Sequence, residues 1–184
     1  DGNFGMRIQD APYNPAGETY TYELWVNFSS FATRKIMLRS TLASNRYFTY
    51  EVNTSGYVNF SSREDEINLT SSSGLSLNTW HHIALTNNGT NTKIYIDGTR
   101  VGQSGWSSGS NYSVGGAVDI LQTGAHWGIN SNNAGFDGKV ADIRFTYQTA
   151  RYASTSFAND GLTMPGTWTD SFGLPPALFE IKPE

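Results

Sequence analysis

The sequence predicts an all-β protein built as two antiparallel sheets packed into a sandwich. Three observations carry this. Apolar residues recur with a period of two: Tyr20, Tyr22, Leu24, Val26 and Phe28 alternate with Thr21, Glu23, Trp25 and Asn27, which is a strand with two distinct faces. Short runs of this kind are separated by Gly, Asn and Ser clusters, the residues of turns. No amphipathic helical stretch intervenes, so successive strands pair antiparallel rather than through helical crossovers.

In chain order the remaining runs are Lys35–Thr41, Arg46–Val52, Tyr57–Ser61, Trp80–Thr86, Thr92–Asp97, Val118–Gln122 and Lys139–Tyr147. One hairpin is specified to the residue. Asp97-Gly98 tolerates positive φ at both positions, which suits a two-residue type I′ turn. The expected register opposes Ile96 with Thr99, Tyr95 with Arg100 and Ile94 with Val101, so that Ile94 and Val101 face the core together. The loop Asn87-Asn88-Gly89-Thr90-Asn91 precedes it, giving a three-strand meander from Trp80 to Val101.

Composition narrows the function classes. The 184 residues contain no cysteine, which removes disulfide scaffolds, thiolate zinc sites, iron–sulfur clusters and thiol catalysis. A compact chain of this length buries roughly 70% of its unfolded surface and needs no such staples. Lys plus Arg is 12 against 16 for Asp plus Glu, and 12 − 16 = −4; with no basic stripe to neutralise phosphates, nucleic acid is excluded as a partner. No apolar run approaches the roughly 20 residues of a bilayer span, so no membrane insertion is expected. The opening Asp1-Gly2-Asn3-Phe4-Gly5 carries no signal-peptide features and reads as the start of an excised piece of a longer chain. From about Thr163 the composition turns to Pro and Gly with scattered aromatics, so the expected division is a β domain over 1–162 and an extended C-terminal arm over 163–184.

The meander carries a resemblance. Asn78-Thr79-Trp80-His81-His82-Ile83-Ala84-Leu85-Thr86 followed by Lys93-Ile94-Tyr95-Ile96-Asp97-Gly98-Thr99-Arg100-Val101 resembles the laminin-G-like branch of the concanavalin A-like lectin/glucanase superfamily. Asp1-Gly2 with Met6-Arg7-Ile8 is similar to that family's first strand, Tyr20–Phe28 to its second, and Gly138-Lys139-Val140-Ala141-Asp142-Ile143-Arg144-Phe145 to its last. Thr149-Ala150-Arg151-Tyr152 with Ser156-Phe157 resembles an ending seen in copies of this module carried by bacteriophage virion proteins. The resemblance implies a jelly-roll sandwich whose members bind sugars, mediate adhesion or cut polysaccharides, so function is argued from the site. It also implies a calcium ion between the first and last strands, for which Asp1 and Asp142 are the matching acids; a second acid usual in the last strand is replaced here by Ala141. No other cofactor is called for.

Glycoside hydrolysis needs two carboxylates at a defined separation. The acidic run Arg63-Glu64-Asp65-Glu66 is contiguous, which splits its side chains between faces and reads as a solvated loop, while Glu23 is a lone acid on a core strand and reads as a polar-face or a buried hydrogen-bonded group rather than a catalyst. His81 and His82 are adjacent on a strand and diverge, which suits a structural role. No Gly-x-Ser-x-Gly elbow or Gly-rich phosphate loop with Lys is present. The chain is therefore expected not to be an enzyme.

Sugar recognition needs an aromatic face against the C–H face of a pyranose, with amides and carboxylates on its hydroxyls. The segment from Gly124 to Asp137 supplies both: Trp127 as platform, with His126, Asn130, Asn132 and Asn133 around it. Trp106 and Tyr112, after the hairpin, form a second candidate. The leading expectation is a non-catalytic, lectin-like module that binds glycan or polysaccharide through rim loops, on an extracellular or virion surface. The alternative is a structural decoration domain whose arm docks on neighbouring protein subunits.

Overall fold

The computed structural model describes residues 6–8, 19–32, 35–41, 47–62, 68–105, 118–122, 137–147, 149–152 and 179–181. These form two six-stranded antiparallel sheets, as the period-two pattern predicts. In the first, the order is β1 (Met6–Ile8), β10 (Val118–Gln122), β3 (Lys35–Thr41), β4 (Tyr47–Val52), β5 (Tyr57–Ser62) and β6 (Asn68–Gly74). The second runs β12 (Phe179–Ile181), β11 (Gly138–Tyr147), β2 (Thr19–Phe28), β7 (His81–Asn88), β8 (Asn91–Ile96) and β9 (Thr99–Gly105). The chain changes sheet after β1, β2, β6, β9 and β10, which makes the sandwich a jelly roll.

The inward faces meet in one core. Tyr20, Tyr22, Leu24, Val26 and Phe28 of β2 pack with Ile83, Leu85, Ile94, Ile96 and Val140 of their own sheet and with Tyr50, Val52, Val58, Phe60 and Leu69 of the other. Each fully buried large side chain contributes about 1.5–3 kcal/mol relative to exposure. Tyr22 enters this core because its hydroxyl donates to the Met37 carbonyl at 3.0 Å.

Two strands go beyond the sequence expectation. β6 is rich in serine, a turn residue by composition, yet Leu69 and Ser71 alternate inward. Ser71 Oγ accepts from the Val58 amide at 3.0 Å and donates to the Ser73 carbonyl at 2.7 Å, replacing a ladder bond where the β5–β6 register shifts. Within the arm, Phe179–Ile181 forms β12 along β11, with Lys139 opposite Glu180.

The Asp97-Gly98 turn is as expected, with φ of 49° and 78°. Ile96 opposes Thr99 and Tyr95 opposes Arg100, but Ile94 opposes Gly102, not Val101. A β-bulge inserts Val101 as an extra residue in β9. Val101 nevertheless shares the core with Ile94, so the facing holds while the pairing corrects by one residue.

A second bulge decides what β11 presents. Ala141 opposes Trp25 and Arg144 opposes Glu23, so two residues of β11, Asp142 and Ile143, span the single Leu24 of β2. Unbroken alternation would put Asp142 and Arg144 on the same face as the core residue Val140. The bulge reverses the phase: Ile143 and Phe145 pack on the core, and Arg144 turns outward to Glu23. Asp142 holds it open at φ 48°, a conformation that Asp tolerates and β-branched residues resist. Asp142→Gly is therefore expected to keep full stability, whereas Asp142→Val loses about 1–2 kcal/mol in urea denaturation; equal midpoints for both would contradict this account of the bulge.

Candidate functional site

Each sheet has an outer face, and the two differ. On the second sheet it is covered by the segment 149–152. Thr21 Oγ1 donates to the Thr149 carbonyl at 3.0 Å and accepts from the Arg151 amide at 2.9 Å, and the Tyr95 hydroxyl donates to the Tyr152 carbonyl at 3.2 Å. Beneath this clasp Glu23 is fully buried. Its Oε1 accepts from Arg144 Nε at 2.8 Å and lies 3.3 Å from Arg151 Nε, while Oε2 accepts from the Tyr152 hydroxyl and lies 3.3 Å from His82 Nε2. Burial pushes the Glu23 carboxyl up, but the contacts with His82 and Tyr152 and the Arg144 charge outweigh it and hold it below its ordinary range. Tyr152 is pushed up to about 12 by burial and by the neighbouring carboxylate. Glu23 is thus the buried hydrogen-bonded group the sequence suggested. With its oxygens engaged by two arginines, a tyrosine and a histidine, it has no lone pair aimed at a substrate.

The two histidines diverge as expected. His81 Nε2 accepts from the Ser76 amide at 3.0 Å, so Nδ1 carries the proton and donates to Asp97 Oδ2 at 2.7 Å. Asp97 Oδ1 accepts from the His82 amide at 2.8 Å. Burial raises the Asp97 carboxyl, but the bonds from His81 and the His82 amide keep it below its usual value. This clamps the hairpin turn to the start of β7; a histidine whose second nitrogen already accepts a backbone amide cannot act as a general base.

The outer face of the first sheet is also polar, and part of it is buried. On β5, Tyr57, Asn59 and Ser61 alternate with the core residues Val58 and Phe60. Asn59 lies opposite Glu51 and Thr70, and Ser61 opposite Thr49 and Asn68. Thr49 and Glu51 on this face are buried and Asn59 Oδ1 is shut off from solvent, while Asn59 and Ser61 are partly exposed. Tyr57 stands at its end, 38% exposed, the exposed tyrosine of the described residues. The Asn53 side chain fixes the turn before it by accepting from the Ser55 and Tyr57 amides at 2.9 and 3.0 Å. Among the described residues Asn59 Oδ1 has no hydrogen-bond partner.

Of the residues singled out from the sequence, Trp127, His126, Asn130, Asn132, Asn133, Trp106, Tyr112 and Asp1 lie outside the described residues, as do Glu64 and Glu66. Their described flanks separate the two aromatic candidates. Gly105 pairs with Asn91, at the end of the second sheet where β7 turns into β8; Gly138 pairs with Phe28, at the opposite end, near the Asp97-Gly98 turn. Asp142 is half-buried at the β11 bulge. Among the described residues no group of three or more His, Asp or Glu side chains is placed to hold a metal ion, and no helix is long and apolar enough to cross a membrane. The sequence reading missed Tyr57, Asn59 and Ser61. Their signal was the strict alternation of polar and apolar residues in β4 and β5.

A sandwich with jelly-roll connections, free of helix among the described residues, is an architecture that lectin-type domains use. The family model for the concanavalin A-like lectin/glucanases superfamily, laminin G type, matches residues 1–155, and the chain belongs to that superfamily. Domains LG4-5 of the mouse laminin alpha1 chain superpose with a TM-score of 0.58 at 17% identity, covering 85% of this chain and 43% of that one. The CBM40 module of the Ruminococcus gnavus IT-sialidase gives 0.56 at 15% identity, covering 80% and 91%. Domain 4 of an extracellular arabinanase from Geobacillus stearothermophilus, solved with arabinotriose, gives 0.55 at 17% identity, covering 79% and 67%. The chain thus spans less than half the length of the laminin fragment. No curated protein matches it.

Proposed function

We propose that this domain is a non-catalytic, lectin-like recognition module that binds a glycan on the outer face of its first sheet, within a larger surface protein. The observation that carries the reading is Tyr57: an exposed ring at one end of a strand whose same-face residues Asn59 and Ser61 are partly exposed, beside the buried Glu51 and Thr49. A ring for the C–H face of a sugar and amide, hydroxyl and carboxylate groups for its hydroxyls are the two requirements of saccharide binding. The arabinotriose complex of a domain with this fold supports it. The rim residues Trp127, His126, Asn130, Asn132, Asn133, Trp106 and Tyr112 would extend the site.

The absence of catalysis has its own support. Hydrolysis uses two carboxylates about 5–10 Å apart. Among the described residues, Glu23 is saturated by cations and hydroxyl, Asp97 is clamped to the His81 ring, and the cross-strand neighbours of Glu51 are Ile36 and Asn59. Neither Glu23 nor Asp97 is thus free to serve as acid or nucleophile.

Displayed as an oligomer on a glycan array, the wild-type domain is expected to bind a subset of oligosaccharides. Tyr57→Ala is expected to weaken that binding about five- to tenfold in titration, the worth of one stacking contact, with no change in melting temperature. A wild type that captures no glycan overturns the proposal. A Tyr57→Ala variant that binds at full strength moves the site to the rim loops.

A further inference from the structure

The turn between β7 and β8 contains the one Asn-Gly step in the sequence, Asn88-Gly89. Such a step is chemically unstable: the Gly89 backbone nitrogen can attack Asn88 Cγ, because glycine has no Cβ to obstruct the approach. In that reaction the N–Cγ bond forms, the Cγ–Nδ2 bond breaks, and ammonia leaves with the proton lost from the Gly89 amide. Water then opens the five-membered imide at either carbonyl, leaving an aspartyl or isoaspartyl residue.

The turn is arranged for this reaction in one respect and against it in another. Asn88 is exposed, and its Oδ1 accepts from the Asn91 amide at 2.7 Å and from the Thr90 amide and hydroxyl, both at 3.1 Å. Attack on Cγ places negative charge on that oxygen, so three donors already surround the atom where charge develops. The nucleophile, however, is tied back. The Gly89 N–H donates to Asn87 Oδ1 at 2.7 Å. Asn87 is fully buried, and its Nδ2 donates to Thr92 Oγ1 at 3.0 Å, which fixes the carboxamide with its oxygen toward Gly89. A hydrogen-bonded amide gives up its proton only when the bond opens.

We propose that Asn88 is a latent deamidation site and that the side chain of Asn87 is the guard that suppresses it in the folded protein. The three donors on Asn88 Oδ1 make the turn an oxyanion site whose nucleophile is withheld by a single hydrogen bond.

The test follows conversion at Asn88 by peptide mapping and mass spectrometry, using the full chain in mildly alkaline buffer. Native wild type is expected to convert more slowly than the same chain in urea. Asn87→Ala is expected to convert about five- to tenfold faster than native wild type, the rate equivalent of one lost hydrogen bond. Since that variant also loosens the hairpin, Thr90→Val is added to it. Loss of a donor on Asn88 Oδ1 should slow the reaction, whereas further loosening would speed it. Wild type converting at the urea rate, Asn87→Ala at the native rate, or a double variant no slower than Asn87→Ala would each overturn the proposal.

Discussion

Glu23→Ala is expected to lose about 3 kcal/mol in urea denaturation at neutral pH, toward the lower end of the range for breaking a buried ion pair. The lower end applies because the Arg144 and Arg151 side chains are 30% and 27% exposed, so part of each guanidinium charge stays solvated when the carboxylate goes. His82 is not so placed: it is fully buried and would face a cavity. The loss should be local first. With Glu23 gone, Tyr152 loses that acceptor while the 149–152 clasp keeps its bonds to Thr21 and Tyr95, so the Arg151 amide should exchange with solvent faster than the β2 and β7 amides beside it.

The acid limb of the stability profile follows from the same group. The folded carboxyl lies below its ordinary 4.5, so its contribution is complete above that pH and is lost as the pH falls through the folded value. Asp97, lowered from 3.8, adds a second component. Glu23→Gln, which keeps the shape and removes the charge, should abolish the first component and leave the second. A Glu23→Ala protein within about 1 kcal/mol of wild type, or an unchanged acid limb in Glu23→Gln, would mean that the cluster merely fills space.

This hub explains why the fold was easier to read than its outer surfaces. Period two is a local signal, and it placed β2, β3, β5 and β10 within a residue of their observed bounds. Turn chemistry was equally local at Asp97-Gly98. What failed depended on a neighbouring strand: the bulge at Val101 and the serine ladder of β6 exist because of what lies opposite them. Glu23 was recognisable as buried from the company it keeps on β2, but its partners Arg144, Arg151 and Tyr152 are 121 to 129 residues away, and pairwise distance in space is not written in any one segment. The resemblance of Thr149-Ala150-Arg151-Tyr152 to a family ending marked the clasp without saying what it held. Tyr57 was assigned to a strand, while its exposure was settled by packing around the face. The aromatic-bearing segments 106–117 and 123–136 lie outside the described residues, so their role rests on the residue types alone.

Gly138→Ala is expected to be the most damaging single methyl in the described chain. A Cβ at this position would stand 2.2 Å from the Asn27 carbonyl oxygen and 2.9 Å from Phe28 Cα, and both obstacles are backbone. The φ of 150° adds strain for any side chain. Relief requires β11 to withdraw from β2 at the Gly138–Phe28 pair. That point is tied on several sides: the Ser29 amide donates to the Asp137 carbonyl at 3.0 Å, and the Asn78 amide to the Phe28 carbonyl at 2.8 Å. The expected loss is more than about 4 kcal/mol, in the exceptional range for point variants, and it should appear as poor expression or a strongly lowered melting temperature. Gly105→Ala is the control, since nothing lies within 4 Å of its added methyl; it should stay within about 0.5 kcal/mol of wild type. If Gly138→Ala folds at the wild-type midpoint, the close approach of β2 and β11 is not a constraint, and the register of the two strands is set by something else.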